Sequence, residues 1–210
     1  MNPIKFELPA RYRLRQYPPE PNEWVIAFGQ VFEGLFGKPW NPKAFDARVL
    51  RALLLYFSGN ENELFPLNKG VMLWGGMGTG KSVVMETLKT LTLVLWRPNW
   101  WRAYDAATIA LVNNEATLNS YLNFADCAYY DDVGSELTTV KMYGTDLHPM
   151  LEILTQRYNR WQRSGVFTHI TSNVGIDELG EIYGYRIGTR IFEMCTAVEI
   201  KGKNLRLTNN

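Results

Sequence analysis

The sequence predicts an α/β domain, and three stretches predict it. Val71-Met72-Leu73-Trp74 is an apolar, β-prone run that leads into a glycine-rich segment, and Val83 to Trp96 behind that segment carries apolar residues at helical spacing. Cys127-Ala128-Tyr129-Tyr130 is a short apolar strand ending on Asp131-Asp132, and Val166-Phe167-Thr168-His169-Ile170 is another ending in Thr171-Ser172-Asn173. Strands alternating with helical patterns build one sheet, and in an open α/β sheet a ligand sits beyond the carboxyl ends of the strands. The polar strand tips therefore belong to one edge.

The glycine-rich segment Gly75-Gly76-Met77-Gly78-Thr79-Gly80-Lys81-Ser82 fits G-x-x-x-x-G-K-[ST], the loop whose backbone N–H groups wrap the phosphates of a nucleotide. Together with Val83, these residues form the candidate nucleotide-binding loop. Glycine lets the backbone approach an anion that a side chain would hold off. Lys81 is placed to reach the β- and γ-phosphates of ATP, the Ser82 hydroxyl to hold Mg²⁺, and the following helix to turn its positive end toward the anion. A strand-end aspartate after such a loop is the Walker-B arrangement. Asp131 then holds Mg²⁺ directly or through water, and Asp132 accepts a proton from, or orients, the water that attacks the γ-phosphorus. Asn173 at the neighbouring strand tip is a candidate to hold that water or read the γ-phosphate.

A chain of 210 residues suffices for one such domain with a modest extension. With 22 Lys and Arg against 21 Asp and Glu, the net charge of +1 announces no nucleic-acid binder, although a local basic stripe remains open. Cys127 and Cys195, the two cysteines, lie in apolar stretches and are expected as buried thiols in a cytoplasmic protein. No leader pattern and no membrane-length apolar run is evident, so no membrane partner is expected. Aromatic residues, 13% of the chain, are expected mainly in core packing. His148 and His169 are isolated, so no structural metal is expected.

In chain order, residues 1 to 22 form a proline-rich arm in which Arg11, Arg13 and Arg15 alternate with Tyr12, Leu14 and Tyr17. Helices are expected over Glu23 to Phe36, stopped by Gly37-Lys38-Pro39, and over Pro42 to Phe57, stopped by Ser58-Gly59-Asn60. Residues 1–65 thus read as an N-terminal arm and helical extension, 66–202 as the nucleotide-binding core and 203–210 as a tail. The segment from Phe65 to Gly70 is placed to help cover the nucleotide base. A second strand is expected over Trp100 to Tyr104, a helix over Ala106 to Leu122 with a break near Asn113-Asn114, and a loop over Gly134 to Thr145. Asp146 is expected to cap a long helix running to about Arg163, with Arg157, Arg160 and Arg163 along a solvated end. Two short helices, Ile176 to Tyr183 and Arg186 to Met194, and a last strand, Thr196 to Lys201, close the chain.

Walker A, the Asp131-Asp132-Val133-Gly134 strand end, the Thr171-Ser172-Asn173 tip and the segment from Tyr183 to Ile191, in this order, resemble AAA+ ATPases of the DnaC/IstB helicase-loader group. The resemblance implies a three-layer P-loop fold with a five-stranded parallel sheet in strand order 5-1-4-3-2, and Asn173 as sensor I. It also implies an arginine finger supplied to a neighbouring subunit, placed on Arg190 with Arg186 in reserve, so that ATP is bound between self-associated copies. The chain closes soon after its last strand, and no C-terminal lid domain is expected. The implied function is ATP hydrolysis to ADP and phosphate in DNA replication or transposition, with single-stranded DNA and a helicase or transposase as partners. Two other readings stand beside it. One is an ATP-gated DNA- or protein-binding adaptor with little turnover, and the other a small-molecule P-loop kinase.

Overall fold

A computed structural model of the chain describes residues 21–95, 101–112, 114–136, 140–142 and 145–202. The arm bearing Arg11, Arg13 and Arg15 and the tail from 203 lie outside the described residues.

Helix α1 (Pro21–Phe36) starts on proline, which suits a first turn where its missing N–H is not needed. It buries Trp24, Ala27, Phe28, Val31 and Phe32, one face at helical spacing. Gly37, at φ 68°, ends it in the left-handed conformation, with its N–H on the Glu33 carbonyl. The expected helix from Pro42 to Phe57 is instead two elements, a 3-10 turn (Pro42–Ala44) and α2 (Ala47–Phe57). The cause is Asp46. Its carboxylate accepts the N–H groups of Arg48 and Val49 at 2.8 and 3.1 Å, an N-cap that a continuous helix would forbid.

The core alternates as expected: β1 (Gly70–Trp74), α3 (Lys81–Leu95), β2 (Arg102–Asp105), α4 (Ala106–Ala110), α5 (Glu115–Leu122) and β3 (Ala128–Asp131). Asp105 caps α4 through the Thr108 N–H, and Asn114 caps α5 through the Thr117 N–H, which divides the expected helix over 106–122 in two. The segment expected as a loop over Gly134 to Thr145 contributes a small antiparallel pair, β4 (Val140–Met142) with β5 (Thr145–Leu147). Asp146 lies opposite Lys141 in that pair. Helix α6 (Pro149–Ser164) starts after His148, which takes the N-cap position expected of Asp146, with a proline at its first position. After α6 come β6 (Thr168–Ser172), α7 (Ile176–Tyr183), α8 (Tyr185–Met194) and β7 (Cys195–Glu199).

Strands β2, β3, β6, β1 and β7 form one parallel sheet in that order, which counts as 2-3-4-1-5 among the core strands, the expected 5-1-4-3-2 read from the other edge. Alternation along the strands sends Val71, Leu73 and Tyr129 into one hydrophobic cluster, with α1, α2 and α3, and Met72, Ala128 and Tyr130 into another, with α4 to α8. The result is three layers. Both cysteines carry free thiols. Cys195 is buried, which pushes its thiol up to about 12, while Cys127 is half-buried. Among the described residues no helix is long and apolar enough to cross a membrane.

Arg157 corrects the expectation of a solvated helix end. It is 1% exposed and donates to the Thr168 hydroxyl and to the carbonyls of Phe124, Asp126 and Phe167 at 2.7 to 3.1 Å. It thereby ties α6 to the amino ends of β3 and β6 and contributes nothing to a basic surface. Arg157→Met would take this donor from the Phe124 and Asp126 carbonyls and the Thr168 hydroxyl, while the Phe167 carbonyl keeps the Ala128 N–H at 3.3 Å, so a loss of about 2 kcal/mol or more is expected in urea unfolding.

His169 is buried against Tyr56, Phe57 and Trp101, and its Nδ1 accepts the Val71 N–H at 3.1 Å. Burial lowers its pKa from 6.5 to about 3. Below about 6.5 the unfolded imidazole binds a proton that the folded one refuses. Its contribution to stability is therefore complete above that pH and is lost progressively toward pH 3, by at most about 1.4 kcal/mol per pH unit. His169→Gln should flatten the difference in unfolding midpoint between pH 7 and pH 4 relative to the parent chain.

Candidate functional site

At the carboxyl edge of the sheet, β1 runs into the loop Gly75–Gly80 and then directly into α3, whose first residue is Lys81. Gly75 takes φ 135°, and a Cβ there would sit 2.5 Å from the Ile200 carbonyl oxygen, so only glycine lets the chain leave β1 beside β7. Lys81 is 5% exposed, and its ammonium donates to the carbonyls of Gly75 and Gly76 at 2.6 and 2.9 Å, and to Asn173 Oδ1 at 3.2 Å. Thr79 braces the loop from within through a hydrogen bond to the Gly76 carbonyl.

Asp131 ends β3 in register with Asp105 at the end of β2. Its Oδ1 accepts the Tyr129 hydroxyl at 2.5 Å and the Thr171 hydroxyl as well. Tyr129 is fully buried, and its phenol is held well above its ordinary pKa, first by burial and then by the Asp131 charge. It therefore acts as a donor that fixes the carboxylate. Asp132 follows at φ 60°, with its N–H on the Thr171 hydroxyl at 3.0 Å and its carboxylate accepting the Asn173 amide at 2.5 Å. Asn173 thus bridges Lys81 and Asp132.

A cavity of about 690 Å³ opens over these groups. Its floor includes Lys81, Ser82 and Val83 with Met77, Gly78 and Gly80, and its strand-tip side is Asp105, Asp131, Asp132 and Asn173. Its remaining wall comes from the N-terminal helices: Phe32 and Phe36 of α1, then Lys38, Trp40 and Phe45 beyond it. The segment from Phe65 to Gly70, expected to help cover the base, does not line this cavity. Phe65 is buried against Tyr56, and Lys69 reaches instead to the Phe192 carbonyl and ring. Arg186 and Arg190 on α8 do not line this cavity in their own chain. Arg186 is exposed, and Arg190 donates to Thr155 at 3.2 Å with its guanidinium 5.1 Å from the Tyr158 ring.

Sequence reasoning missed Tyr129, Thr171, Asp105 and the aromatic wall. Tyr129 carried a signal, since two residues before Asp131 on a strand is the same face. So did Asp105, a carboxylate between a strand and a helix. The wall had none, because α1 is far from the loop in sequence.

Asp131 and Ser82 offer carboxylate and hydroxyl oxygens at one cavity, a hard donor set that fits a magnesium ion. Among the described residues no trio of His, Cys, Asp or Glu is gathered in metal-binding geometry.

No family model and no curated protein matches the chain in sequence. Solved structures do match it in fold. The DnaC helicase loader superposes with a TM-score of 0.54 at 20% identity, over 78% of this chain and 93% of that one. DnaI gives 0.54 at 18% identity, over 80% and 90% of the two chains. A proposed primosome component from Streptococcus pyogenes serotype M3 gives 0.54 at 16%, over 77% and 86%. With its parallel sheet in the order 2-3-4-1-5 and helices on both faces, the chain has the α/β P-loop AAA+ fold, built like the DnaC helicase loader.

Proposed function

We propose that this chain binds ATP with Mg²⁺ at the carboxyl edge of its sheet and hydrolyses it, as part of an assembly that acts on DNA with a helicase or transposition partner. One observation carries the reading: Asn173 joins Lys81 to Asp132 over a cavity that Ser82 and Asp131 also line. In this reading the triphosphate takes the place beside the Lys81 ammonium that the loop carbonyls border. Loop N–H groups and the amino end of α3 receive its oxygens. The metal, when bound, offsets charge on the phosphates, and Ser82 and Asp131 are the residues that would hold it. Tyr129 and Thr171 keep Asp131 turned toward that position.

Asp132 is assigned to the attacking water, which it orients and whose proton it accepts, while Asn173 holds the γ-phosphate side of the same site. The aromatic wall formed by Phe32, Phe36 and Trp40 suits a base, whose faces are apolar.

Closure of the pocket is assigned to an arginine from α8 of a second copy. Motif position favours Arg190, whereas exposure favours Arg186, since Arg190 is already engaged with Thr155 and Tyr158. The helicase-type partner is proposed from the likeness to the DnaC helicase loader, and single-stranded DNA binding from the motif resemblance in the sequence.

Lys81→Ala should abolish binding of a fluorescent ATP analogue, whereas Asp132→Asn should bind it normally and lose about a hundredfold or more in steady-state phosphate release. Normal hydrolysis in both would remove the site assignment. A mixing experiment tests the arginine. Arg186→Ala or Arg190→Ala, whichever is the finger, is expected to be inactive alone and to regain activity when mixed with Lys81→Ala, which supplies the arginine but not the pocket. If neither mixture recovers, closure in trans is wrong.

A further inference from the structure

Glu136 is a carboxylate that the proposed chemistry leaves without a task, yet it is only 8% exposed. One of its oxygens accepts the Gly134 N–H at 2.8 Å, and the other accepts the hydroxyl of Tyr183, the last residue of α7. The same Gly134 N–H also points at the Tyr183 oxygen, 3.0 Å away. These groups close a small ring of hydrogen bonds directly behind the turn that follows Asp131-Asp132.

The turn needs holding. Asp132 sits at φ 60°, the only described residue other than glycine with positive φ, a conformation uncommon for any residue with a side chain, though aspartate takes it more readily than most. Its carbonyl is tied by the Ser135 hydroxyl at 2.6 Å. Gly134, at φ 91°, lies so close to α7 and the turn before it that a Cβ would come within 2.7 Å of Leu179 and 3.3 Å of Val174. Immediately after Tyr183, Gly184 at φ 97° turns the chain into α8, which carries Arg186 and Arg190. One phenol therefore touches both the turn bearing Asp132 and the joint before the arginine helix.

We propose that Glu136 and Tyr183 are positioning residues: their shared grip on the Gly134 amide fixes where Asp132 stands relative to the Lys81–Asn173 pair and couples that placement to helix α8. The inference rests on the reading of this site as an ATPase. Burial raises the Glu136 carboxyl above its ordinary range, against the amides of its own turn, Gly134 among them, which favour the carboxylate. A misplaced water-orienting group lowers turnover without loosening the nucleotide, because the phosphates are held by a different loop.

The experiment compares the full chain with Tyr183→Phe, Glu136→Ala and Glu136→Gln. Tyr183→Phe and Glu136→Ala should lower kcat for ATP by about ten- to a hundredfold while KM stays within about twofold. Glu136→Gln keeps an acceptor for the Gly134 N–H and a partner for the phenol, and should retain most of the turnover. Amide exchange, measured without nucleotide, should accelerate by about fivefold or more at residues 132–136 in Tyr183→Phe and not across the sheet. Parent-like kcat and exchange in Tyr183→Phe would overturn the proposal, and so would a parallel loss of kcat, KM and sheet protection. If the parent chain itself releases no phosphate, the ATPase reading falls, and the exchange data decide alone. Faster exchange confined to the turn upholds the grip, and unchanged exchange ends it.

Discussion

A lysine ammonium taken out of water must be surrounded by oxygen, and the carboxyl edge of this sheet is arranged around that requirement. Removing the hydration of a cation costs several kcal/mol even in a relaxed protein interior, so Lys81 at 5% exposure is tolerable only where acceptors already stand. They come from three sources: carbonyls of Gly75 and Gly76, exposed because the loop has no side chains in the way, the Thr79 hydroxyl, and the amide oxygen of Asn173. The last is the consequential one, because Asn173 arrives from β6 and its amide nitrogen is spent on Asp132. The position of one cation thus settles the position of a carboxylate on a different strand.

That chain of dependence works because the strands are parallel and in register. Met72, Leu73 and Trp74 of β1 lie opposite Ile170, Thr171 and Ser172 of β6, so the residues after both strands emerge side by side. β3 pairs with the other side of β6, which sets Asp131 and Asp132 beside Thr171. Thr171 serves two partners at once, donating to Asp131 and accepting the Asp132 N–H, with the Tyr129 hydroxyl 3.2 Å away, from a fully buried position in the middle of the sheet. Hydroxyls at such points are both donor and acceptor, which a carboxylate-rich edge needs if its charges are to be held in fixed directions.

What could be read from the sequence and what could not divides along the range of the interactions. The glycine-rich loop, its flanking strand and helix, and the aspartates closing β3 are local patterns, each legible within about ten residues. The strand order followed from a resemblance, not from periodicity. Reading failed where a polar side chain had two uses and only distant structure chose between them. Asp146 looked like a helix cap and stands in an antiparallel strand pair, while Asp46, passed over inside an expected helix, caps α2. Arg157 carried the pattern of a solvated cation near a helix end, but the carbonyls that claim it come from Phe124, Asp126 and Phe167. No window on α6 contains that information.

The aromatic wall shows the same division with a further consequence. Helix α1 packs its buried face on α3, the helix that begins at Lys81, and the chain then turns back at Gly37 so that Trp40 lies against Phe28 and Phe32 at centroid distances of 5.0 Å. The segment thereby covers one face of the sheet and borders the cavity with the same few side chains. Phe36 and Trp40 line the cavity, and the buried face of α1 belongs to the same hydrophobic cluster as Leu88 and Leu91 of α3. Since α3 carries Lys81 at its first residue, the cavity and the packing of the N-terminal helices share one helix.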